Sequence, residues 1–248
     1  MLYPGLVSAT FRKMTPHEII ALAVKAGLSG IEWSSRDHIL PGGISQAEAV
    51  RNQMNESGLV TPSYGTYYYA GMDNNPDFQA LIENALILGA PLIRVWAGKN
   101  ESSAGMSPAR REVIIDDLRQ ICEAAARHGV QVSTEYHPHT LTDSFESAMQ
   151  LFEDVPLLRT HWQADEGKSK TEHLRVLTGI FDRLTVVHAA WWRNREQLPF
   201  EEAEADWNEY IRILKSSPRD HYILLEFVRN GDPDQMVRDA ASLKRFMK

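Results

Sequence analysis

HGVQVSTEYHPH, residues His128 to His139, holds a helix end, a strand and a polar loop in one short stretch. Gly129 suits the left-handed position that closes a helix. Val130 to Thr134 alternate as a short buried strand. Glu135 then sets a carboxylate at the strand's C-terminal end, with Tyr136, His137 and His139 behind it. The event recurs downstream. RTHWQAD (Arg159–Asp165), LTVVHAAWW (Leu184–Trp192) and YILLEFV (Tyr222–Val228) are each an apolar run ending on a side chain able to ligate a cation. Laid side by side as parallel strands, the four runs would bring Glu135, Gln163 or Asp165, His188 and Glu226 to one end of a sheet.

The pattern extends upstream. Thr15, Pro16 and Glu18 open a helix with an N-cap and a first-turn proline. That helix closes at Gly27, just before the run LSGIEW. Gly27, Gly58, Gly89 and Gly129 each stand before an apolar strand, at intervals of 31, 31 and 40 residues. Such a spacing is about the length of one strand–helix unit, ~30 residues. Downstream, helices are expected over 143–153, 170–182, 203–214 and 233–247, and strands over 156–163, 184–189 and 222–228. Neither G-x-G-x-x-G nor G-x-x-x-x-G-K-[ST], the marks of an open nucleotide-binding sheet, is present. Eight strand–helix pairs in 248 residues, with no linker-like segment, predict an α/β fold: one (β/α)8 barrel as a single domain over 1–248.

Composition narrows the partners. A net charge of −7 without a basic stripe argues against nucleic acid. No apolar run approaches the ~18 residues of a membrane span, and no secretory leader is evident. Cys122, the single cysteine, sits in an evident helix, so neither a disulfide nor a cysteine zinc site forms within one chain, as suits the cytoplasm. A homo-oligomer is compatible with the architecture, and nothing in the sequence fixes the state.

In such a barrel the functional groups lie at the C-terminal strand ends and in the loops after them. Those places carry Glu32 and His38, Tyr64, Arg94 and Trp96, His137, Asp165, Arg193 and Arg195, all candidate substrate contacts. Alternation puts Ser133, Glu135 and His137 on one face, and His161, Gln163 and Asp165 on another shared face. A carboxylate ending an apolar run is costly to bury unpaired. Glu135 and Glu226 in one site would repel. A divalent cation between them removes the conflict, and His188 supplies a nitrogen ligand. The simpler alternative is a buried ion pair of either glutamate with Arg94 or Arg193.

In order and spacing, AGLSGIEW, LGAPLIRVWAG, TEYH, VVHAAWW and LLEFV resemble the xylose isomerase-like TIM-barrel superfamily of sugar isomerases and epimerases, over essentially the whole chain. By this resemblance, as in relatives such as tagatose 3-epimerase, a divalent ion (Mn, Mg, Co or Zn) is held by Glu135, a sixth-strand residue, His188 and Glu226. The sixth strand departs from the pattern. Gln163 stands where relatives carry Asp, with Asp165 two residues on, and Glu166 replaces the histidine that follows. Strand register favours Gln163 as the ligand. The implied function is an isomerase or epimerase acting on a sugar or sugar phosphate. Glu135 and Glu226 would exchange a proton through an enediolate. The alternatives are a metal-dependent dehydratase or lyase on a keto-sugar or inositol derivative, and a sugar-binding barrel without catalysis.

Overall fold

Strand follows helix through the computed structural model, which describes residues 1–248. The strands are β1 (Leu2–Val7), β2 (Gly30–Ser34), β3 (Tyr64–Tyr69), β4 (Leu92–Trp96), β5 (Gln131–Glu135), β6 (Arg159–Gln163) and β7 (Leu184–Ala189). A short antiparallel hairpin, β8 (Trp192–Arg193) and β9 (Glu196–Gln197), comes next, and β10 (His221–Leu225) completes the set. Apart from the hairpin, all pair in parallel with their chain neighbours, and β10 closes on β1. The expected eight-stranded barrel is the one observed. Around it run α1 (Pro16–Ala26), α2 (Ile44–Glu56), α3 (Phe78–Leu88), α4 (Pro108–Ala126), α5 (Phe145–Asp154), α6 (Lys170–Gly179), α7 (Glu204–Lys215) and α8 (Pro233–Phe246).

Local chemistry sets these boundaries. The Thr15 hydroxyl accepts from the Glu18 backbone N–H, and the Glu18 carboxylate accepts from the Thr15 N–H at 2.7 Å, a reciprocal cap on α1. Gly27, Gly58, Gly89 and Gly129 have φ of 64°, 68°, 67° and 72°, the left-handed conformation that turns a helix end into the next strand. The sixth strand starts at Arg159, later than 156, because Leu158 N–H bonds back to Val155 O and holds a turn there. The last strand ends at Leu225, so Glu226 lies one residue beyond it, yet its N–H still donates to Ala189 O at 2.9 Å. The hairpin was not expected. Its turn residues Asn194 and Arg195 are both left-handed, and the sequence lacks the glycine that usually marks such a turn.

Two apolar regions separate cleanly. The main core lies between strands and helices, with Ile31, Trp33, Ile93, Trp162, Trp207 and Ile223 fully enclosed. A smaller cluster of Val7, Ala9, Leu92, Val186 and Leu224 fills the lumen. Leu92, Val186 and Leu224 stand two residues before Arg94, His188 and Glu226 on their strands. The lumen therefore carries an apolar layer directly under a charged one. No helix is long and apolar enough to cross a membrane.

Candidate active site

The charged layer holds Glu32 from β2, Arg94 from β4, Glu135 from β5, His161 from β6, His188 from β7 and Glu226 just past β10, all buried. His188 is its hub. Its Nδ1 lies 3.3 Å from Glu135 Oε1 and 3.3 Å from Glu226 Oε2, while its Nε2 lies 3.4 Å from Glu32 Oε2. The Arg94 guanidinium bridges the other side, with Nε 3.5 Å from Glu135 Oε2 and Nη2 3.6 Å from Glu32 Oε1. Its Nη1 donates to Thr66 O at 3.1 Å. Gly65 makes room for this pair, since a Cβ there would sit 2.6 Å from Glu32 Oε1 and 3.1 Å from Arg94 Nη2.

The electrostatics follow from this crowding. Burial alone would lower the His188 pKa, but Glu226, Glu32 and Glu135 outweigh it and raise it well above the usual imidazole range. Burial likewise works to raise the Glu135 carboxyl, yet His188 and Arg94 overcome that and hold it down at about 2. His161 is shifted down, chiefly by burial, and so stays neutral. Three carboxylates thus face one guanidinium and one imidazolium, leaving the layer one positive charge short. A divalent cation replacing the His188 proton would close that deficit.

The donor set fits such an ion. Ligand atoms of Glu135, His188 and Glu226 all lie within 4.8 Å of one another, and oxygen and nitrogen donors of this kind suit Mn, Mg, Co or Zn. A second group, Glu32, His161 and His188, is as close but differently built. Its single oxygen, Glu32 Oε2, already takes hydrogen bonds from Ser63 Oγ, His161 Nε2 and His188 Nε2. The first group is therefore the candidate metal centre.

Gln163 is paired in register with His188 on the adjacent strand and is half-buried. Asp165 turns away, its carboxylate accepting from the Gly167 N–H at 2.9 Å in a loop turn. Of the two sixth-strand candidates, Gln163 is the one within the strand and in register with His188. Glu166 accepts from the Arg195 N–H at 2.9 Å, tying the loop after β6 to the hairpin.

The expected substrate contacts divide sharply. Trp96 and His137 meet edge to face at 4.9 Å and line a cavity of about 160 Å³ with Tyr69, Lys99, Asn100 and His139. Arg94 does not line it, but its guanidinium carbon lies 4.8 Å from the Trp96 ring. Tyr64 does not reach a cavity: it points outward to α3, its hydroxyl donating to Ile39 O and receiving the Asn84 amide at 3.2 Å. His38 is held behind Trp33, its Nδ1 3.0 Å from Ser8 Oγ. Glu32 is wholly enclosed and faces other protein groups. Arg193 and Arg195 are exposed on the hairpin. His161 and Ser63 were given no role from sequence. Alternation already turned His161 inward with Gln163, whereas nothing marked Ser63.

Residues 20–246 match the family described as xylose isomerase-like TIM barrel, and the chain belongs to that family. A 3-dehydroshikimate dehydratase from Bacillus anthracis is 28% identical over 249 residues, covering 88% of this chain and 87% of the relative. The crystal structure of the probable 3-DHS dehydratase of petrobactin synthesis, also from Bacillus anthracis, superposes with a TM-score of 0.78 at 20% identity, over 100% of this chain and 99% of that one. The 3-keto-D-glucoside 4-epimerase of E. coli superposes with a TM-score of 0.74 at 18% identity, over 99% of each chain. At such identities the two solved structures establish the fold alone.

Proposed function

We propose that this xylose isomerase-like barrel is a divalent-metal-dependent dehydratase, removing water from a small polyhydroxylated ketone. The observation that carries this reading is the inequality of the two glutamates. Glu135 is clamped by Arg94 and His188, and its carboxyl at about 2 is ionised at any physiological pH. Glu226 is paired with His188 alone and is 8% exposed against 2% for Glu135. Epimerisation by exchange needs both glutamates at the reacting carbon, one ionised and one carrying a proton, and Glu135 is committed to Arg94 and His188. Elimination needs only one carboxylate.

In that elimination the Glu226 carboxylate takes the proton from the carbon beside the carbonyl. The released electron pair forms the carbon–carbon double bond as the neighbouring C–O bond breaks. The departing hydroxyl recovers the proton from Glu226 and leaves as water. A cation held by Glu135, His188 and Glu226, beside Gln163, would supply positive charge for the developing enolate oxygen. Trp96, Tyr69 and His137 offer flat walls for a ring, and Lys99, with Nζ 4.7 Å from the Tyr69 ring, offers a charge for an anionic substituent. The 28% identical dehydratase supports the same reaction class, because 3-dehydroshikimate is a ring ketone bearing hydroxyls and a carboxylate.

The test is to incubate Mn(II)-loaded protein with 3-dehydroshikimate, and separately with a ketohexose in D2O. The expected result is an ultraviolet-absorbing dihydroxybenzoate from the first and an unchanged ketose in the second. A deuterium-labelled epimer of the ketose, with no dehydration, would establish the epimerase instead.

A further inference from the structure

Glu32 is a buried acid that the elimination does not use. It lies in the lumen across from β6 and β7, fully enclosed, and does not line the rim cavity. One of its oxygens, Oε2, gathers three donors: Ser63 Oγ, His161 Nε2 at 3.2 Å and His188 Nε2 at 3.4 Å. Its other oxygen faces Arg94 Nη2 at 3.6 Å. An ionised carboxylate accepts and cannot donate, so both imidazoles must present N–H from Nε2. The far side of His161 agrees with this. Its Nδ1 lies 2.6 Å from Ser133 Oγ, a hydroxyl able to donate to it, while the nearby Thr185 hydroxyl donates to Thr160 O at 3.0 Å.

We infer that Glu32, buttressed by Ser63 and His161, is a positioning residue that fixes the ring and tautomer of His188. With one proton kept on Nε2 and directed at Glu32, loss of the other from Nδ1 would leave a lone pair facing Glu135 Oε1 and Glu226 Oε2, each 3.3 Å away. A metal-ligating histidine is commonly oriented in this way by a carboxylate on its other nitrogen. The chain supports that carboxylate further. Ser63 and Gly65 bracket Tyr64 at the start of β3, the one supplying a hydroxyl to Glu32 and the other leaving it space. Arg94 ties Glu32 to Glu135, so the positioning group and a ligand share one guanidinium. The inference rests on the metal reading of the Glu135, His188 and Glu226 group. It reassigns Glu32 from the substrate to the histidine.

The experiment is calorimetric titration of Mn(II) into metal-free full-length protein, for wild type, Glu32→Gln and Ser63→Ala. Zn(II)-loaded samples follow, for 15N spectra of the histidine rings. Glu32→Gln keeps the volume but removes the charge and one acceptor position. It should weaken Mn(II) binding about 10- to 100-fold, and the His188 Nε2–H signal, expected to exchange slowly in wild type because the group is buried, should broaden or vanish. Ser63→Ala frees one side of the same oxygen and should weaken binding by a smaller factor, which keeps the inference testable if Glu32→Gln fails to fold. Wild-type affinity and an unaltered Nε2–H signal in the folded variants would overturn the positioning role while leaving the metal centre standing. A wild type that takes up no Mn(II) would overturn both.

Discussion

On the proposed elimination, Glu226→Gln should lose most of the turnover while the protein still folds and still takes up Mn(II). The amide keeps an oxygen for the metal but cannot accept the carbon-bound proton, so the rate should fall by roughly 10²- to 10⁴-fold, the usual worth of a positioned general base. The glutamate reaches the site from one residue past β10, where it is less enclosed than Glu135 and makes no ion pair with Arg94. KM should change little, because the group acts on the reacting proton more than on the bound substrate. Steady-state kinetics with Mn(II) in excess, beside Mn(II) titration of the same variant, decide the matter. Turnover within a few-fold of wild type would remove Glu226 from the chemistry.

Arg94→Met destabilises the metal-free protein by about 3–5 kcal/mol, the cost of stranding buried partners of an ion pair. The guanidinium is the fixed positive charge between Glu32 and Glu135, at 3.6 Å and 3.5 Å, and also donates to Thr66 O. Methionine fills much of its volume, so the loss is electrostatic rather than a cavity. For a chain of this size each kcal/mol lowers Tm by about 2–4 °C, which puts the expected fall near ~10 °C. Adding Mn(II) should restore part of it, since the cation supplies charge to the same carboxylates. Thermal unfolding with and without Mn(II) measures both effects. A metal-free Tm within ~2 °C of wild type would show that Glu32 and Glu135 do not depend on Arg94.

The barrel was legible because its punctuation is local. The left-handed glycines Gly27, Gly58, Gly89 and Gly129 end helices through their own backbone freedom, and short apolar runs follow each of them. Strand parity put Glu135 on one face with Ser133, and His161 on one face with Gln163, from their immediate neighbours. The second partners of these residues were not legible. His161 and His188 meet Glu32 across the lumen, at sequence separations of 129 and 156 residues, and no local pattern encodes such a contact. Tyr64 was misjudged because the strand-end rule says nothing about which face a side chain takes. It is the next residue, Gly65, that pairs with Arg94 and faces the lumen. The hairpin carrying Arg193 and Arg195 was hidden by a turn with Arg195 where glycine is usual.

The central claim is that Glu135, His188 and Glu226 form one divalent-cation site whose ion displaces a proton from His188. Calorimetric titration of Mn(II) into wild type and into a Glu135→Ala/His188→Ala variant, each in two buffers of different ionisation enthalpy, tests it most directly. The His188 pKa is raised in the metal-free protein, so it holds a proton at neutral pH and binding must release it. Affinity should therefore strengthen as pH rises toward that raised value. The account predicts one ion per wild-type chain, about one proton released at neutral pH, and no binding in the variant. Binding that survives the double substitution, or a wild type that binds no ion, would contradict it.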